Sequence, residues 1–201
     1  MKILLTLILL ISFEVCESQN QIKEVLYCAK NQSEYLIKKA VGKKIFESNF
    51  KFIKRETIIE IYNLDLDKLE RVSLAEFENY KIPATQFWLI YKIKSQNLIL
   101  TTLRIPFNLN CTTPWNSDET SEIIKPYLKV LTNKIRIDLK QAIKIAKSHG
   151  LSEINKWNID YEKRKLVWTL NGKIENNQSK VIKINSKNGK ILAEFTEIQI
   201  D

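Results

Sequence analysis

Beyond the first 18 residues, the side chains best suited to chemistry are Cys28, Cys111 and a single histidine, His149. In an oxidising compartment two cysteines most simply form a disulfide. A bond between Cys28 and Cys111 would close a long loop and so stabilise the fold by about 4 to 5 kcal/mol. Two unpaired buried thiols are the alternative, because sequence does not give the distance between the cysteines. A Cys–His nucleophile pair would need a free thiol, and a bridge uses both. We therefore predict a Cys28–Cys111 disulfide and no thiol catalysis.

The other polar candidates also favour structural roles over catalytic ones. His149 falls in the last turn of a predicted helix, where a partial positive charge suits the free carbonyls. The pairs Asp65–Asp67 and Glu76–Glu78 lack the glycine or asparagine of a calcium loop, so they predict solvated acidic loops. With 4 Gly and 1 His, phosphate-cradling loops and histidine metal sites are nearly unavailable. We predict no catalytic residue, no cofactor and no metal, with an unrecognised hydrolase site in the first half as the alternative.

The N terminus has the pattern of a secretory signal peptide. Lys2 provides a positive start, and the apolar run from Ile3 to Phe13 is too short to span a bilayer comfortably. Cys16 and Ser18 occupy the positions three and one before a cut, where small residues are expected. Lipidation of Cys16 is the alternative, although the residues just before it are not small. We assign residues 1–18 to the signal, and predict a secreted or periplasmic protein without a transmembrane segment in the mature chain.

Removal of that segment leaves 31 basic and 21 acidic residues, a net charge of +10. The basic residues are spread along the chain, interleaved with acids and dominated by lysine. Arginine, which suits bidentate contacts to bases and phosphates, occurs at few positions. The pattern indicates a solvated basic surface and no nucleic-acid partner, with binding to an anionic surface as an open alternative.

The first half, residues 19–125, predicts an α+β module. Gln21–Ser48 has helical periodicity, and Asn31–Ser33 interrupts it so that Ser33 caps a second helix. The segments that follow are assigned in chain order: Phe50–Tyr62 as a strand or bent pair, Leu64–Pro83 as an acidic loop or short helix, and Gln86–Lys94 with Leu98–Ile105 as a hairpin. The turn-rich stretch from Pro106 to Pro126 marks a boundary, and we place the domain border between Cys111 and Arg136. Trp115 lies in this stretch and is our candidate for an exposed anchor at a protein interface.

The second half, residues 126–201, has the clearest local signals. Asp138 and Gln141 have the spacing of a helix capping box, and Gly150 suits the end of that helix. Four strands are predicted after it, at Trp157–Tyr161, Leu166–Leu170, Val181–Ile184 and Lys190–Ile200. Asn188–Gly189 suits a type I′ turn between the last two strands. One helix packed on an antiparallel sheet is the expected unit.

This second half resembles the PepSY domain of peptidase propeptides. The resemblance rests on the helix from Asp138 to Ala146, Trp168 on a middle strand, and Ile184 leading to Asn188–Leu192. It covers about a third of the chain, and Asn185 stands where the family tends to have an acidic residue. The resemblance implies an extracellular or envelope module that binds proteins or inhibits a peptidase, with no catalytic residue to carry over.

The first half has a similar order of helix, strands and hairpin, with Trp88 placed much as Trp168 is. Two tandem cystatin-like or PepSY-like modules are therefore an alternative, in which the first is a divergent repeat. Our prediction is an exported, non-enzymatic α+β binding module with a protein partner, such as a peptidase. The sequence does not identify that partner or the oligomeric state.

Overall fold

The computed structural model describes residues 2–63, 66–77, 84–174 and 178–197, and it confirms the α+β class with two antiparallel sheets. One compact unit contains the described residues of Met1–Phe46, Phe50–Lys92 and Thr102–Thr120. The other contains those of Glu47–Asn49, Ile93–Thr101 and Ser121–Asp201. The proposed boundaries at residues 18 and 125, and the repeat, stay predictions.

The first unit begins with a long helix, α1 (Lys2–Val41), which ends at Gly42 with φ of +86° and is followed by α2 (Lys43–Asn49). The predicted break at Asn31–Ser33 is wrong. Ser33 is fully buried within α1, where its hydroxyl bonds the carbonyl of Lys30 at 2.8 Å and the hydroxyl of Tyr91 at 2.7 Å. A serine that satisfies its hydroxyl in this way is compatible with a helix interior. No helix in the described ranges has the length and apolar content to cross a membrane.

The first sheet has a long central strand. Its elements in chain order are β1 (Phe50–Phe52), a 3₁₀ turn (Lys54–Glu56), β2 (Ile58–Asn63), β3 (Lys68–Ser73), the short helix α3 (Leu74–Phe77), β4 (Ala84–Ser95) and β5 (Leu98–Asn108). Strand β4 pairs with β1, β2 and β5, and β3 adds to β2. Leu89 and Ile90, consecutive residues of β4, have 0% and 2% exposure, so this strand is buried on both faces. The predicted bent pair and hairpin are confirmed.

A disulfide joins Cys28 of α1 to Cys111, just after β5, with their Cα atoms 6.1 Å apart. It closes a loop over 83 positions and ties the first helix to the end of the sheet within one unit. Cys111 has φ of +61°, so the chain reverses at the bridge. The bond is compatible with a compartment outside the cytoplasm, as the cysteine count predicts.

The second unit contains a helix packed on a four-stranded sheet. Its elements are α4 (Ser117–Leu131, in this unit from Ser121), α5 (Leu139–Ser148), β6 (Glu153–Glu162), β7 (Lys165–Lys173), β8 (Ser179–Asn185) and β9 (Ile191–Glu197). The strands pair in sequential order as an antiparallel meander. The capping box is confirmed, with Asp138 accepting from the amide of Gln141 at 2.8 Å and the Gln141 side chain accepting from the amide of Asp138 at 2.9 Å. Gly150 ends the helix with φ of +93°.

Trp168 is the largest fully buried side chain in the described part of the chain. It lies on β7 opposite Ile184 of β8, and both have 0% exposure. Its indole Nε1 donates to the carbonyl of Ile137 at 2.8 Å. The tryptophan therefore both fills the core and fixes the segment that joins α4 to α5.

Two local predictions in this half are wrong. The turn-rich stretch before Arg136 contains α4, a 15-residue helix with Pro126 inside it. The β8–β9 connection is also not the predicted type I′ turn, which needs a positive φ at both central residues. Gly189 has φ of +74°, but the φ of Asn188 is not positive. The amide of Asn185 donates to the Lys190 carbonyl at 2.9 Å, which closes a four-residue loop, 186–189.

Candidate anion-binding groove

The residues that the sequence singled out for chemistry have structural contacts where the structure describes them. Trp115 is half-buried, and its amide donates to the hydroxyl of Thr113. Its role as an interface anchor stays a prediction. The two cysteines are consumed by the disulfide. Within the described ranges, no group of three or more His, Cys, Asp or Glu side chains is arranged to hold a metal ion.

His149 belongs to a surface ion network at the end of α5. Its Nδ1 lies 2.8 Å from one carboxylate oxygen of Glu194, and Lys180 donates to the other oxygen at 2.8 Å. The hydrogen bonds from Lys180 and then His149 hold the pKa of Glu194 below its ordinary value. Lys180 also donates to the His149 carbonyl at 2.8 Å, so the network joins the helix terminus to β8 and β9. These contacts give His149 structural partners, and its non-catalytic role stays a prediction.

The carboxylates of the acidic segment also have local roles where they are described. Asp67 accepts a hydrogen bond from the hydroxyl of Tyr62. Glu76 accepts from the backbone amide of Ser73 at 2.7 Å, and this bond lowers the pKa of Glu76. Asp65 and Glu78 lie outside the described residues. The two described carboxylates thus stabilise a turn and the start of α3.

A groove lined by cations lies at one end of the second sheet. It has a volume of about 570 Å³. Its charged lining residues are all basic and come from α4, the α4–α5 connection, the β6–β7 turn, the first position of β7 and the β8–β9 connection: Lys129, Lys134, Arg136, Arg164, Lys165 and Lys187. We call these six residues and the space between them the basic groove.

Backbone hydrogen bonds connect the segments that carry these cations. The amide of Ile137, next to Arg136, donates to the Ser186 carbonyl at 2.9 Å. The amide of Ser186 in turn donates to the Leu166 carbonyl at 3.0 Å. The α4–α5 connection, the β8–β9 connection and the start of β7 are therefore held together beside the groove. The fold places the cations side by side although they are distant in sequence.

The cations of the basic groove are not paired with any carboxylate that the structure describes. In the described part of the chain, none of the six forms a salt bridge, whereas lysines elsewhere, such as Lys30, Lys180 and Lys183, are paired with carboxylates. Like charges gathered in a concave site raise the local positive potential and the local concentration of anions. The two arginines add planar donor forks that match carboxylate or phosphate oxygens. The groove is thus suited to bind an anion.

A second concave surface on the outer face of this sheet has a different character. Its volume is about 450 Å³, and it is lined by acids as well as bases. Glu162 and Lys183, which both line it, form a salt bridge at 2.6 Å. Its charges are therefore partly neutralised, and it does not share the one-signed character of the basic groove.

The sequence did not indicate the basic groove, because its charges lie between positions 129 and 187 among many acids. The prediction of a solvated basic surface considers only the residues next to each lysine in the sequence. A local signal is nevertheless present, since Lys163, Arg164 and Lys165 are consecutive at a turn. A further cluster at Lys134 and Arg136 precedes α5. Only the fold brings the two clusters together.

Comparisons with known proteins add little to this geometry. No family model and no curated protein matches the chain. Solved structures that are similar include the YpmB protein from Bacillus subtilis, at 16% identity over 56% of this chain and 75% of that chain, with a TM-score of 0.31. A proposed lipoprotein from Clostridium difficile 630 is 13% identical over 75% of this chain and 85% of that one, with a TM-score of 0.35. At these TM-scores neither likeness bears on the function, and the PepSY resemblance stays a prediction.

Proposed function

We propose that the protein is an exported, non-enzymatic binding module that holds an acidic segment of a partner protein in the basic groove. The observation that carries this proposal is a concave site with six cations, no lining carboxylate and no internal salt bridge among the described residues. Unpaired charges in a concave site favour and steer an oppositely charged partner.

The rest of the lining supports a peptide over a purely hydrophilic polyanion. Ile135, Leu166 and Tyr161 lie between the cations and offer apolar surface. Such surface suits the methylene groups of acidic side chains and their apolar neighbours. The volume falls within the range of about 300 to 1,000 Å³ that is typical of sites enclosing a discrete ligand. The resemblance to PepSY domains likewise implies a protein partner, and within that class a peptidase.

Charge reversal within the groove tests the proposal. We expect Arg136→Glu combined with Lys187→Glu to weaken binding of a fluorescein-labelled hexaglutamate peptide by about 10- to 100-fold at low salt, since each ionic contact contributes about 1 kcal/mol and each 1.4 kcal/mol is tenfold. Fluorescence anisotropy measures the affinity. The affinity of the unaltered protein should also fall as salt screens the interaction.

The matched control is Lys140→Glu combined with Lys144→Glu, which makes the same charge change on the exposed face of α5. This variant should lose no more than about twofold in affinity. Equal losses in the two variants would show that net charge alone drives binding and would contradict a groove-specific site. Tighter binding of inorganic polyphosphate than of hexaglutamate would contradict a protein partner, and no binding of either anion would refute the anion site.

A further inference from the structure

The connection between β6 and β7 is a two-residue turn with an unusual composition. Glu162 pairs with Lys165 across it, and the two turn residues, Lys163 and Arg164, have φ of +46° and +66°. A tight turn with two left-handed residues strongly favours asparagine and glycine, because other side chains crowd the backbone there. The chain therefore keeps two long cationic residues where they are conformationally unfavourable.

Another tight hairpin among the described residues provides a direct comparison. The β4–β5 turn is also two residues long, with Gln96 and Asn97 at φ of +48° and +68°. Its second position, where the geometry is most left-handed, holds asparagine, which tolerates this region. At the same position of the β6–β7 turn the residue is Arg164, and Arg164 lines the basic groove. Strained backbone of this kind is concentrated at functional sites in proteins.

Resting on the proposed function, we infer that Arg164 determines the specificity of the basic groove for carboxylates, and that the left-handed turn presents its side chain to the groove. Because the turn contains only two residues, it fixes the position of the Arg164 Cα atom at the edge of the groove. A guanidinium can bind both oxygens of one carboxylate in a planar, bidentate arrangement, which an ammonium cannot do. Presentation from a short turn at the end of two paired strands limits the freedom lost on binding.

Two substitutions of Arg164 separate conformation from recognition. Arg164→Gly removes both the crowding and the guanidinium, so we expect Tm to rise by about 2 to 4 °C while the affinity for labelled hexaglutamate falls at least tenfold. Arg164→Lys keeps the charge and the crowding but loses the planar fork, so we expect Tm to stay unchanged and affinity to fall about three- to tenfold. Differential scanning fluorimetry and anisotropy provide the two measurements.

Lys163→Asn is the matched control, because it relaxes the first turn position and leaves the groove lining intact. It should raise Tm and keep affinity within about twofold of the unaltered protein. Hexaglutamate binding by Arg164→Gly or Arg164→Lys within twofold of the unaltered protein would overturn the specificity role, and an unchanged Tm in Arg164→Gly would overturn the conformational part. These failures are distinct from failure of the proposed function, which would appear as absence of binding by the unaltered protein itself.

Discussion

Loss of the Cys28–Cys111 bond should lower the free energy of unfolding by about 4 to 5 kcal/mol, the entropy of closing a loop of this length in the unfolded chain. The double variant Cys28→Ser, Cys111→Ser is the direct test, monitored by far-UV circular dichroism in a urea titration. The bridge joins the first helix to the end of the first sheet within one unit. That unit should therefore unfold at a lower urea concentration in the double variant than in the unaltered protein.

The reduced unaltered protein is the control for this prediction. It lacks the same cross-link but keeps both thiols, so its unfolding midpoint should coincide with that of the double variant. A loss below about 1 kcal/mol in both proteins would show that the bridge does not constrain the unfolded chain, contrary to the loop-entropy argument. A loss in the double variant alone would assign the effect to the serines.

Trp168→Ala should cost about 3 to 5 kcal/mol of stability, because it leaves a cavity under α5 and removes a fully buried indole. It also leaves the carbonyl of Ile137 without the donor that it has at 2.8 Å. Ile137 follows Arg136, so the same substitution should loosen one wall of the basic groove. Chemical denaturation monitored by circular dichroism measures the stability loss.

Two variants calibrate this effect. Trp168→Phe keeps most of the side-chain volume but loses the indole donor. We therefore expect it to lower the free energy of unfolding by about 1 to 3 kcal/mol. Trp88→Ala removes a tryptophan that is half-buried, with the guanidinium of Arg71 4.8 Å from the ring centroid, and should cost less than half as much as Trp168→Ala. Equal losses at Trp88 and Trp168 would contradict the placement of Trp168 at the centre of the second core.

The parts of the fold that the sequence predicted are those with local signals. The capping box of α5 lies within four residues, the apolar residues of β6 alternate with polar ones, and β7 and β8 contain short β-prone runs. The fully buried Trp168 and Ile184 lie on two of these strands. Each of these features needs only neighbouring residues to be recognised.

The missed features depend on partners far away in the chain or on mixed local patterns. Ser33 looked like a helix cap because its partner, Tyr91, is 58 residues away. Strand β3 escaped because it carries charged and exposed residues at the edge of its sheet, where β2 alone pairs with it among the described strands. Helix α4 escaped because Pro126 and a turn-rich stretch indicated a connection.

The candidate site was missed for the same physical reason. Charge attraction acts through space, so six cations from α4, β7 and three connections together form one site. Considered in sequence order, the same cations belong to separate solvated surfaces. The arginines at the groove, Arg136 and Arg164, were visible in the sequence as two of a few arginines. Their common location required the pairing of β6 with β7 and the bonds through Ser186.

The central claim, that the basic groove is where the protein binds its acidic partner, is tested most directly by an NMR titration of the ¹⁵N-labelled protein with hexaglutamate. We expect the largest backbone amide shifts on three groove segments, at Arg136, at 164–166 and at 185–187. Largest shifts on the exposed face of α5 around Lys140 and Lys144, or small uniform shifts over both units, would contradict it.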